Sequence, residues 1–98
     1  MNARALRELC DEIRADLEGR SAALSDAVRR YPTPIARCDE QLAGLLESRA
    51  EVLRLLDCAA APDGDRALVE AFATAAARWD DAAAARLRAR AEEVIAGR

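Results

Sequence analysis

Residues Thr33–Cys58, TPIARCDEQLAGLLESRAEVLRLLDC, decide the fold. Thr33 is a helix-capping residue and Pro34 suits the first helical position, where no backbone N–H is needed. Apolar side chains then fall at Ile35, Cys38, Leu42, Leu45, Val52 and Leu56, three and four apart, with Arg49 standing in the one vacancy. That spacing predicts a helix over 34–59, about 37 Å long at 1.5 Å per residue. Leu46, Leu53 and Leu55 widen the stripe, so the helix can touch two neighbours at once.

Outward from this segment lie two breaks. Upstream, Leu6, Cys10, Ile13, Leu17, Leu24, Val28 and Tyr31 keep one helical phase, predicting a helix over 3–30. Gly19 could end a helix, but the stripe stays in phase across it, so one continuous helix is the better reading. Tyr31-Pro32-Thr33-Pro34 stops it, because a residue before proline avoids the α region. So short a connection makes the first two helices antiparallel neighbours, with Val52 near Ile13 and Arg49 beside Asp16, Glu12 one turn away. Downstream, Ala61-Pro62-Asp63-Gly64-Asp65 is a turn. Asp65 or Asp63 would cap a third helix over 66–96, stopped by Gly97. Its large residues, Phe72 and Trp79 among them, alternate with alanines at Ala75, Ala76, Ala82 and Ala83, like knobs on a smooth rod.

The expected fold is therefore all-α, a single domain over residues 1–98 with three long helices in an antiparallel up-down-up bundle. The alternative is a helical hairpin whose third helix completes the core of a second copy. Hydrophobic content is 52%, but alanine supplies much of it, so helices form readily around a thin core, for which self-association would compensate.

Composition narrows the chemistry. All 15 basic residues are arginine and there is no histidine or lysine, a bias expected of a GC-rich, bacterial genome. Imidazole triads and metal sites, Schiff bases and the P-loop phosphate grip are thereby excluded. The net charge of −3 is made of interspersed acids and arginines, which does not suggest a polyanion binder. Three cysteines without a CxxC pair, and a charged N-terminus unlike a signal sequence, point to free thiols in the cytoplasm and to no membrane span. Each cysteine reads as a small buried hydrophobe. Asp80-Asp81 and the other adjacent acid pairs read as solvated faces, because neighbours on a helix point about 100° apart.

No catalytic constellation remains, and no cofactor or metal is implied. By elimination the chain reads as a non-enzymatic protein-interaction module, homodimeric, presenting or receiving a helix face. The residues for this role are Leu46, Leu53 and Leu55, with Phe72 and Trp79 as anchors if exposed. Arg49 reads first as an arginine laying its stem on the core with its head in water. A register-setting pair with Asp16 or Glu12 is second, and a place in a partner-binding groove third. Two further hypotheses are a nucleic-acid-associated regulator using Arg86, Arg88 and Arg90, and a small-ligand pocket beside Trp79.

Overall fold

The computed structural model describes residues 3–31 and 39–97. The fold is all-helical, with four helices among those residues: α1 (Ala3–Arg29), α2 (Asp39–Cys58), α3 (Gly64–Ala76) and α4 (Ala82–Ala96). The first two helices follow the periodicity. α1 is unbroken through Gly19, beside which a Cβ would meet nothing within 4 Å. The proposed cap at Thr33 and the stripe positions Ile35 and Cys38 lie outside the described residues.

The third expected helix is two. Over 77–81 the chain leaves the helix, closing α3 with turn hydrogen bonds from Arg78 N to Ala75 O (3.1 Å) and Trp79 N to Ala76 O (3.0 Å). The physical reason is Asp81. It takes an extended backbone, φ −96° and ψ 158°, and its carboxylate accepts the Ala84 N–H at 2.9 Å as the N-cap of α4. An aspartate in that role satisfies one of the donors that a new helix start leaves open. The bundle is accordingly up-down-up-down, not up-down-up.

Side-chain contacts fix the directions. Tyr31 Oη donates to Gln41 Oε1 (3.2 Å) at one end of the first hairpin, and Leu6 lies beside Ala59 at the other. Asp65, at the start of α3, meets Arg7 (3.2 Å) and Cys10, whereas Trp79, just past its end, meets Arg20. α3 therefore runs parallel to α1. α4 starts at Arg20 and passes Glu12, which holds Arg90 at 2.6 Å, so it runs back along α1.

The core is built from Leu9, Cys10, Ile13 and Leu17 of α1, Val52 and Leu55 of α2, Leu68, Val69 and Phe72 of α3, and Leu87 with small alanines of α4. α4 touches α1 and α3 but not α2. On α1 full burial ends at Leu17, and the α3–α4 turn sits at the level of Leu24 and Ser48. Beyond it the first hairpin continues toward its tip with Val28, Leu42 and Leu45 half-buried.

Two glycines give a paired test. At the buried Gly64 an added Cβ would lie 2.2 Å from the Ala59 carbonyl oxygen. The end of α2 and the start of α3 therefore approach too closely for any side chain. Gly64→Ala should lower the unfolding free energy from urea titration by about 1–3 kcal/mol through overpacking. Gly19→Ala, mid-helix in open space, should raise it by about 0.5–1 kcal/mol. Equal effects at both positions would contradict this packing.

Candidate functional site

Two features stand out once the helices are placed: a polar clamp with a cleft at the α3–α4 turn, and an apolar strip on the outside of α2.

The clamp centres on Arg20. Its Nε donates to Asp16, one turn earlier on α1, at 2.6 Å. Its two terminal nitrogens donate to the two carboxylate oxygens of Asp81, both at 2.8 Å. This bidentate fork is the stronger form of the Arg–carboxylate bond. The guanidinium also lies 4.6 Å from the Trp79 ring centroid, and Trp79 in turn meets Phe72 edge-on at 5.7 Å and 80°. The bond to Asp81, with that to Asp16, raises the Arg20 pKa above its ordinary value despite partial burial. The Arg20 fork, helped by the Ala84 N–H, holds the Asp81 carboxyl well below the usual carboxylate range.

Beside this clamp is an open cleft of about 430 Å³, floored by Ala23, Leu24, Val52 and Trp79. Both arginines on its rim are already paired, Arg20 with the two aspartates and Arg78 with Glu51. What it offers an incoming group is mainly apolar floor.

The strip is on α2. Leu46 and Leu53 are 40% and 45% exposed, whereas Leu55 is 6% exposed. Nine residues on a helix make half a turn of rotation beyond whole turns, so Leu46 points directly away from Leu55. Leu55, with Glu51 and Cys58, lies beside Ala71, Thr74 and Ala75 of α3. Leu46 and Leu53 thus occupy the side of α2 turned away from α3. Arg49 falls between them, half-buried.

The six candidate partner residues divide accordingly. Leu46, Arg49 and Leu53 share one exposed face. Leu55 and Phe72 are not exposed: both are core, because α3 docks on the Leu55 edge of α2 and Phe72 points into the bundle. Trp79 is half-buried against that core beneath Arg20. The second reading of Arg49, a pair with Asp16 or Glu12, is not what forms. Asp16 binds Arg20 and Glu12 binds Arg90, both closer to hand.

The arginines of α4 do not form one patch. Arg88 pairs with Glu92 at 3.0 Å and Arg90 with Glu12, leaving Arg86 exposed. Cys10 is fully buried, and its thiol donates to the Asp65 carbonyl at 3.1 Å. Burial, with the Asp65 charge, pushes that thiol up to about 11, so it carries little thiolate at neutral pH. Among the described residues no three potential ligands cluster as a metal site, and no helix is long and apolar enough to cross a membrane.

Arg20 and Asp81 were not singled out by periodicity. The available signals were the Asp16–Arg20 spacing of four and an aspartate directly before a run of alanines. In comparisons with known proteins, no family model, no curated protein and no solved structure matches the chain.

Substitution at Asp81 separates cap from clamp. Asp81→Asn keeps a capping side chain but loses the charge, and Asp81→Ala loses both, so the alanine variant should be less stable by about a further 1 kcal/mol. The pH dependence has a fixed sign. A carboxyl depressed by folding adds stability that is complete above its unfolded value of about 3.9 and is lost as pH falls toward the folded value. Urea midpoints between pH 7 and pH 2.5 should therefore fall less steeply for Asp81→Asn than for the parent. Parallel curves would mean that the fork contributes nothing.

Proposed function

We propose that the chain is a small, non-enzymatic protein-interaction module whose docking face is the Leu46–Arg49–Leu53 side of α2. The observation that carries this reading is the exposure of two large leucines seven residues apart on one helix face, opposite the buried Leu55. Isolated surface leucines are ordinary, but two in register flanking a half-buried arginine form the anchor pattern of helix-in-groove recognition. Completing the burial of two half-exposed leucines supplies on the order of 2 kcal/mol. That suits a reversible contact more than a permanent one.

Self-association is the second reading, favoured by the distal part of the α1–α2 hairpin, which α3 and α4 do not cover. From Ser21 to Tyr31 that part is only about 16 Å long. A dimer formed there would depend on concentration. A reducing cytoplasm is the proposed location, supported by the buried thiol of Cys10 and the absence of a CxxC pair.

The test is the double variant Leu46→Glu/Leu53→Glu. Both positions are exposed, so its unfolding midpoint should stay within about 0.5 kcal/mol of the parent, whereas Leu55→Ala should cost about 2–4 kcal/mol. Light scattering over a concentration series gives the association state against the 10.6 kDa monomer. A mass increase that the double variant abolishes places self-association on the strip. An increase that it leaves intact places it on the uncovered hairpin. The strip loses its role if the substitution alters no association of the chain, with itself or with a helical peptide.

A further inference from the structure

Building on the α2 docking face, we infer that its occupant is an amphipathic helix of another protein, carrying an acidic side chain between two apolar ones, with the acid seated on Arg49. Leu46, Arg49 and Leu53 are spaced three and four apart, so they form one line along the helix. Arg49 is half-buried on that line and, among the described residues, has neither an ion-pair nor a hydrogen-bond partner. The acids that could have answered it are occupied elsewhere: Asp16 by Arg20, Glu12 by Arg90 and Glu51 by Arg78. A cation set into an apolar strip selects an anion in whatever covers it, because covering it without one would leave a buried charge uncompensated. Ala43 and Ala50 flank the strip, which lets a second helix axis come close.

The same arginine argues against a second copy in this position. Antiparallel two-fold packing places Leu46 of one copy against Leu53 of the other and brings both Arg49 side chains to the axis. Parallel packing in register sets Arg49 against Arg49 as well. Like charges meet in either orientation, which is how an interface excludes a wrong partner.

The probe is a fluorescein-labelled helical peptide of about 20 residues, long enough to hold helix. It carries leucines seven apart with a glutamate between them, and its twin has glutamine at the glutamate position. Each is titrated with the full chain and followed by anisotropy. The glutamate peptide should bind about tenfold more tightly than its twin, as a hydrogen bond to a charged group supplies. Arg49→Gln should erase that difference while leaving the thermal melt of the chain in place, and Leu46→Glu/Leu53→Glu should abolish binding of both peptides. Equal binding of the two peptides overturns the acid–Arg49 pairing and leaves the docking face standing. A strip-dependent dimer that excludes both peptides makes a second copy the occupant and overturns the inference in the same way. Binding of neither peptide, with no strip-dependent association, overturns the inference and the docking face together.

Discussion

The bidentate bond between Arg20 and Asp81 ties α1 to the turn that makes four helices of an expected three. It joins residues 61 apart in sequence, and it lies where nothing else in the chain forbids a continuous helix. Ala75–Ala77 and Ala82–Ala85 are the strongest helix formers available, with neither proline nor glycine between them. Breaking the helix there gives up backbone hydrogen bonds. Three local gains offset that loss: the Ala84 N–H is capped, Arg20 gains a fork, and the Trp79 ring is covered by the guanidinium. Asp16 contributes by holding Arg20 from one turn away, so less side-chain entropy is lost when the fork closes. Apolar burial then supplies the stability of the arrangement, but it does not by itself select it.

The division between what could and could not be read from the sequence follows from this. α1, the described part of α2 and the turn that follows α2 were legible because apolar periodicity and Pro/Gly punctuation agree there. Retention of phase across Gly19 correctly indicated an unbroken helix. The α3–α4 turn was not legible. Alanine runs show no periodicity to interrupt, and Asp80-Asp81 looks like any solvated acid pair until a distant arginine is brought to it. The partner residues show the same limit. The breadth of the α2 stripe announced that some leucines would be surplus to one contact, but which edge stayed outside depended on where α3 docked. Leu55 and Phe72 went inward, and Leu46 and Leu53 remained outward. Arg49 and Asp16 were placed near one another by hairpin register alone, which locates residues only to within about a turn. An arginine four residues along the same helix has a shorter path to that carboxylate.

The turn that builds the core also creates the free face of α2. A single long third helix lying in the groove between α1 and α2 would have left both of those helices with similar exposure. Folding back at Asp81 instead stacks α4 onto α1 and α3, and it makes no contact with α2. Among the described residues α2 is then bounded by α1 and α3, with the Leu55 edge satisfied and Leu46 and Leu53 exposed on the opposite edge. The leucines on that open edge are too few to nucleate a core of their own, and the arginine between them sets a charge condition on any helix that covers them. A turn that closes one end of the bundle thereby determines which surface of a different helix stays uncovered.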